Sequence, residues 1–263
     1  MTRPKRSSST ARLLWADDSH IHRLSIRKLE SAGASTALLR SYLPAAHTVT
    51  YGEGQKIYAA GQYTKNIYLV VAGMVEISQT REGCSGLLLE IIQRDELFGE
   101  SAFLKDPCPS EEATTLEDTT LMSWPISEVE ALVGRRPELA VALRRFFAQR
   151  NAEINRRIGS LSLDTVERRL ARSLIRFSQR LGMAEGDGGV RIVPLTHEML
   201  SRHAGGSVEI VVQCMDRFRK QGYVTYSPGG IVLHQDPLQR LLSKPAKRLE
   251  HEKTGRRLAA YAR

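Results

Sequence analysis

The stretch from Leu195 to Tyr223, LTHEMLSRHAGGSVEIVVQCMDRFRKQGY, restricts the fold more than any other part of the chain. Two adjacent glycines, Gly205 and Gly206, interrupt a helical pattern, and glycine reaches positive φ without steric cost. Before them, Thr196 can cap a short helix, its hydroxyl accepting an orphan backbone N–H, and Met199 and Leu200 supply an apolar face. After them, Ser207 can cap a second helix, with Glu209 in the first turn, where the helix dipole favours a carboxylate. Ile210, Val211, Cys214, Met215 and Phe218 recur at helical spacing and are expected to be buried. Gly222 stands where a C′ glycine ends a helix. A short helix, a tight turn and a longer capped helix are the pattern of a helix-turn-helix, whose second helix lies in the major groove of DNA. Two short β-type runs follow, Val224 to Tyr226 and Ile231 to Leu233, around Ser227-Pro228-Gly229-Gly230. That predicts a hairpin, and so a winged helix-turn-helix.

Helical hairpins often bind nothing, so the charge distribution matters here. The net charge of +9 is uneven. Residues 1–30 carry 7 basic and 3 acidic side chains, residues 31–139 carry 8 and 15, and residues 140–263 carry 23 and 11. The C-terminal half is therefore strongly basic, an electrostatic footprint for nucleic acid, because each neutralised phosphate releases counterions. The acidic middle is a poor surface for DNA and is expected to have another task.

The N-terminal MTRPKRSSST is basic and polar, and residues 1–30 are expected to form a disordered extension. No apolar core follows it, so no secretory signal is read there. No apolar run approaches the roughly 20 residues that span a bilayer. A mixed helical pattern runs from Ile21 to Leu43. From about Thr48 the period changes to two. Gln55 to Tyr58, Ile67 to Val71, Met74 to Ser78, Leu87 to Ile92, Ala113 to Thr115 and Leu121 to Trp124 read as short strands, with Ala72-Gly73 and Arg81-Glu82-Gly83 as turns. Many short strands at regular spacing predict an all-β barrel or sandwich. A long helix then starts at Pro137, with Leu139, Leu143, Phe146/Phe147, Ile154, Ile158 and Leu161 mostly three or four apart. This stripe suits a helix packed on its own β domain or a seam between two helices. A second helix is expected from Asp164 to Leu181, with Arg168, Arg169, Arg172 and Arg176 mostly solvated, then a glycine-rich loop over 182–189.

Gly61, Tyr68, Gly73 and the Phe98-Gly99-Glu100 run, followed by a long helix and a winged helix-turn-helix, resemble the Crp/Fnr family of bacterial transcription regulators. The match covers about residues 35–240. The resemblance implies an α+β chain with an N-terminal antiparallel β-roll, jelly-roll-like, over 31–135 and a dimerisation helix over 136–162. A C-terminal winged helix-turn-helix over 163–240 and a basic tail over 241–263 complete it. It also implies that Leu139, Leu143, Phe147, Ile154, Ile158 and Leu161 form the interface of a homodimer in the cytoplasm. Contact with RNA polymerase remains open.

In family members that bind cyclic AMP, the segment beginning Gly-Glu leads to an Arg-Ser pair that holds the cyclic phosphate. The effector-pocket candidates here are Gly99, Glu100, Ser101, Ser110, Glu111, Glu112 and Glu153. Ser110, Glu111 and Glu112 stand where the Arg-Ser pair belongs, and Lys105 is the only cation nearby in sequence. A carboxylate about 4 Å from a phosphate, at an effective dielectric of about 20, costs about 4 kcal/mol. A cyclic nucleotide is therefore disfavoured and no cofactor is predicted. Three scattered cysteines, Cys84, Cys108 and Cys214, supply neither a disulfide framework nor an iron–sulfur cluster and suit a reducing compartment. No spaced His/Cys pairs suggest zinc, so no metal site is predicted. A haem ligand such as His47 stays open.

The expected DNA contacts are Thr196, Arg202, His203, Ser207, Val208, Glu209, Gln213, Arg217 and Lys220, with Arg219 as a further phosphate partner. Glu209 can accept from cytosine, Gln213 can pair bidentately with adenine, and Val208 can pack on a thymine methyl. Two readings of other classes compete. A DNA architectural protein would show a steep salt slope and little sequence preference. A cupin-like enzyme needs histidines on its strands, and residues 48–125 contain none.

Overall fold

The computed structural model describes residues 39–80, 86–104, 110–185, 188–193, 195–227 and 229–243. Several expectations lie outside them: the 1–30 extension, most of the 21–43 helix, the turn at Arg81, Lys105, Cys84, Cys108, Pro228 and the tail beyond Ser243. The chain divides into two compact units between Arg156 and Arg157.

The first unit holds eight strands: β1 (Thr48–Tyr51), β2 (Lys56–Tyr58), β3 (Asn66–Ala72), β4 (Val75–Gln79), β5 (Leu87–Ile92), β6 (Leu97–Phe98), β7 (Glu111–Thr115) and β8 (Thr119–Pro125). They form two four-stranded sheets, β1-β8-β3-β6 and β2-β7-β4-β5, with every pairing antiparallel. Strand β3 shows why the roll closes. Its side chains alternate between two cores, because successive residues of a strand point to opposite faces. Ile67 and Leu69 join Trp124, Val129 and Leu139, whereas Tyr68 and Val70 join Tyr58, Val75, Ile77 and Phe98. In the second core Tyr68 and Phe98 stack at 5.0 Å.

Helix α1 (Ile126–Arg135) follows β8 directly, and the sequence reading had no helix there. Ile126 and Val129, three apart, seat it on the roll. Helix α2 (Pro137–Leu163) comes next. Its first half is part of the same core: Leu139 is fully buried, and Ala142, Leu143 and Phe146 are also buried, against Ile67, Trp124 and Val129. Leu139 and Leu143 are thus corrected from dimer contacts to core residues, and Phe147 packs on that core as well. Apolar periodicity identifies a covered face without saying what covers it. Further along, Ile154 and Ile158 are 53% and 55% exposed, while Leu161 is half-buried.

The second unit contains α3 (Val166–Leu181), β9 (Met183–Ala184), β10 (Val190–Ile192), α4 (His197–Ala204), α5 (Val208–Lys220), β11 (Val224–Ser227), β12 (Gly230–Leu233) and α6 (Gln235–Ser243). Part of the expected 182–189 loop is β9, paired with β10 in the sheet β11-β12-β10-β9. Leu170, Leu174 and Phe177 of α3, Leu200 of α4, and Val211, Met215 and Phe218 of α5 are buried. Helix α3 begins at Val166 rather than Asp164, because Thr165 is its N-cap. Asp164, just before it, accepts from Ser160, Arg168 and Arg172. Burial opposes the charge on Asp164, but these donors outweigh it and hold the carboxyl below its ordinary range.

Candidate nucleic-acid interface and effector site

The helix-turn-helix is built by local hydrogen bonds. Thr196 Oγ accepts from Met199 N at 3.1 Å and Ser207 Oγ from Ile210 N at 3.4 Å, so each helix starts at its expected cap. Gly205 ends α4 in the left-handed region at φ 65°. At Gly206 a Cβ would lie 2.6 Å from Val166 Cγ1, so the turn runs too close to α3 for any side chain. Helix α5 closes with Tyr223 N donating to Phe218 O at 2.8 Å, with Gly222 at φ 71° beside it.

Thr196, Ser207, Val208, Glu209, Gln213, Arg217, Arg219 and Lys220 are all exposed, whereas Arg202 is half-buried. Hydrogen bonds from Ser207 and from its own backbone N–H hold the Glu209 carboxyl below its ordinary range, so Glu209 serves the cap. Arg217 Nη1 donates to Glu167 Oε1 on α3 at 2.8 Å. Two expectations are corrected. Ile210, expected in the core, is 43% exposed. Its place in the first turn lies outside the buried arc of Val211, Cys214, Met215 and Phe218. His203, expected at phosphate, is buried: its Nδ1 lies 2.7 Å from Ser173 Oγ and its ring 4.7 Å from Phe177. It is a core group with no access to DNA.

Burial, reinforced by Arg157, Arg176 and Arg180, pushes the His203 pKa well below the ordinary 6.5. A folded imidazole of lowered pKa contributes stability that is complete above 6.5 and is lost as the pH falls below it. Thermal unfolding of the helix-turn-helix unit is therefore expected to weaken from pH 6.5 towards pH 5, by up to about 1.4 kcal/mol per pH unit. His203→Gln, which keeps a neutral hydrogen-bonding side chain, should flatten that profile. An unchanged slope in the variant would reject His203 as its source.

Arginines on α3 do more than face solvent. Arg168 donates to Leu241 O at 3.1 Å and Leu242 O at 2.8 Å, fastening α6. Arg169 donates to Ala204 O at 2.6 Å, Gly205 O at 2.7 Å and Asp164 O at 3.0 Å. One guanidinium therefore satisfies carbonyls at the end of α4 and at the α2–α3 junction. The sequence carried no signal for this beyond an arginine on a helix.

The effector-site candidates lie in the first unit. Gly99 has φ +89°, and a Cβ there would sit 2.8 Å from Asn66 O, so this glycine is required by the turn itself. Glu100 and Ser101 open a short 3-10 helix, Glu100–Leu104. Glu100 Oε1 accepts from Arg150 Nε of α2 at 2.8 Å, and Arg150 Nη1 pairs with Glu90 Oε2 on β5. Burial opposes the Arg150 charge, but Glu100 outweighs it, with Glu153 and Glu96 adding to the effect, and the guanidinium pKa rises. Arg150 is thus a cation brought in by tertiary structure and already engaged with two carboxylates.

Strand β7 separates the two glutamates expected to face the effector together. Glu111 shares a face with Ala113, against Tyr58, and accepts from Tyr58 Oη at 2.6 Å. Glu112 points the other way and pairs with Lys56 Nζ at 2.7 Å, so its assignment to the pocket is corrected. Ser110 bonds to Gln79. Burial pushes the Glu111 carboxyl up. Among the described residues, no group of three or more His, Cys, Asp or Glu side chains could hold a metal ion. No helix there is long and apolar enough to cross a membrane.

Comparison with known proteins agrees with both units. Residues 48–136 match the cyclic nucleotide-binding domain, and residues 168–241 match the Crp-like helix-turn-helix domain. The CRP-like cAMP-activated global transcriptional regulator of Mycobacterium tuberculosis is 28% identical over 178 residues, covering 67% of this chain and 79% of its own. The cyclic AMP receptor protein of Thermus thermophilus is 28% identical over 188 residues, covering 72% and 84%. The crystal structure of a CRP/FNR-family transcriptional regulator, also from Thermus thermophilus, superposes with a TM-score of 0.60 at 26% identity, covering 74% of this chain and 97% of that one. With an antiparallel β-roll, a long helix and a capped helix-turn-helix in this order, the chain belongs to the Crp/Fnr family of DNA-binding transcription regulators.

Proposed function

We propose that the protein binds a palindromic DNA site as a homodimer and regulates transcription without gating by cyclic AMP. The observation that carries this reading is the charge inside the β-roll. Glu111 takes the Tyr58 hydroxyl, and Arg150 is divided between Glu90 and Glu100. Among the described residues of this group, three carboxylates against one guanidinium leave no net positive charge for a cyclic phosphate, which needs cations and N–H donors. An uncharged or cationic effector, or none, suits this interior. The remaining residues named for the site, Gly99, Ser101, Ser110 and Glu153, stand as candidates around it.

The dimer seam is assigned to the exposed part of α2, where Ile154 and Ile158 lie one turn apart on one face, with Leu161 beyond them. Homodimers of this kind act in the cytoplasm on two half-sites one helical turn apart, about 34 Å. In each half-site the first turn of α5 enters the major groove. Gln213 selects adenine there, and Thr196, Ser207, Arg217, Arg219 and Lys220 take phosphates.

Selection from a randomised duplex pool at fixed salt, with and without cyclic AMP, tests this. The expected result is one palindrome recovered equally under both conditions, with adenine opposite Gln213. Recovery only with cyclic AMP would overturn the reading of the roll. A non-palindromic consensus would overturn the homodimer. A steep salt slope with no consensus would favour the architectural protein.

A further inference from the structure

We infer that Ile210 determines sequence specificity by packing on a thymine methyl group beside the base pair read by Gln213. This rests on the proposal above that the first turn of α5 enters the major groove. The observation behind it is an apolar side chain in an unusual place. Helix α5 has a sufficient core face without Ile210: Val211, Cys214, Met215 and Phe218 are all at most 4% exposed. Ile210 is 43% exposed, and Val208 in the same turn is 38% exposed. Two branched hydrocarbons thus face water at the helix N-terminus, the end that a helix-turn-helix presents to base edges.

Their positions relative to the polar reader decide the assignment. Residues three apart on a helix are neighbours, so Ile210 stands beside Gln213, with Arg217 one turn further along the same ridge. Val208 lies on the opposite side of Gln213. The Glu209 carboxylate between them is engaged at the cap. The ridge therefore offers hydrocarbon, then an amide, then a cation anchored on Glu167.

In the major groove the one apolar group on a base edge is the C5 methyl of thymine. A bidentate glutamine selects adenine N6 and N7. An amide with isoleucine next to it matches an adenine together with a thymine, either that adenine's own partner or the neighbouring base. Guanine or cytosine at the isoleucine-facing position would set a polar edge against hydrocarbon and leave it without a hydrogen-bond partner. The half-site is accordingly expected to be A·T-rich where the first turn of α5 reads it.

The test uses the full chain and the duplex it selects. Each thymine of the half-site is replaced singly by 2′-deoxyuridine, which removes only the methyl, and affinity is measured by fluorescence anisotropy at fixed salt. One position is expected to weaken wild-type binding about fourfold, the equivalent of one buried methylene. Ile210→Ala should bind the thymine duplex about as weakly as the wild type binds the uracil duplex, and should lose nothing further on that substitution. Its thermal unfolding should match the wild type, since the residue is outside the core.

Uracil tolerated within twofold at every position would overturn the inference while leaving DNA binding intact. So would an Ile210→Ala variant that weakens equally on thymine and uracil duplexes and keeps the wild-type sensitivity to the substitution. Failure of the wild type to select any duplex would instead overturn the underlying proposal, which separates the two failures.

Discussion

Replacing Arg150 of α2 by alanine is expected to destabilise the first unit strongly. The Arg150 side chain is 18% exposed, and those of its partners Glu90 and Glu100 are 9% and 23% exposed. Removing one side of a buried pair leaves uncompensated charge, which costs about 3–5 kcal/mol. Thermal unfolding of the variant at neutral pH should begin well over 10 °C lower than in the wild type. The deficit should shrink in acid, because the stranded carboxylates then fold protonated. Combining Arg150→Met with Glu90→Gln and Glu100→Gln should recover most of the loss, since neutral groups of similar size remove the stranded charge. If the single variant unfolds within 2 °C of the wild type, Arg150 does not organise this interior. The same experiment bears on the proposed independence from cyclic AMP, because that proposal rests on Arg150 being engaged by Glu90 and Glu100.

Arg169→Ala is expected to disable the second unit in a different way. The side chain holds Ala204 O, Gly205 O and Asp164 O in one fork. Without it, carbonyls at the end of α4 lose their donors beside the turn that sets the angle between α4 and α5. Charge-assisted hydrogen bonds contribute about 1.5–3 kcal/mol each, and shared or exposed ones less, so about 3 kcal/mol is at stake. Calorimetry should show a transition lowered by roughly 10 °C for a unit of this size. Affinity for the selected duplex should fall more than tenfold, because α5 no longer meets the groove at a fixed angle. Arg169→Lys should recover less than half of both, since an ammonium cannot reproduce the planar fork. Unaltered DNA affinity in Arg169→Ala would show that the turn keeps its geometry without the clamp.

Both predictions concern residues that sequence reading placed in ordinary roles. In the sequence Arg150 falls in the gap between Phe147 and Ile154 of the apolar stripe, and Arg169 reads as one of several solvated charges. Their partners explain the difference. Arg150 meets Glu100 across 50 positions and Glu90 across 60, while Arg169 reaches Ala204 across 35. Nothing in the residues next to either arginine indicates those partners. His203 fails in the same way: a histidine on a short helix near DNA-facing residues reads as a phosphate contact until Ser173 and Phe177 are seen around it.

The features legible in the sequence share a short range. Thr196 and Ser207 cap helices three residues away, Gly205 ends α4, and the continuous apolar run of β3 marks a strand buried on both faces. Each depends on groups within one turn or one strand, where covalent connection restricts the alternatives, so the order of roll, long helix and winged helix-turn-helix is already determined there. Tertiary structure alone decided which apolar residues of α2 belong to the roll and which stay exposed, which glutamate faces inward from β7, and where the cation in the roll comes from. A helical stripe has the same period against a β-sheet as against a second helix. A charge, likewise, has no partner until the chain is folded. Composition and spacing therefore left these assignments open, and packing made them.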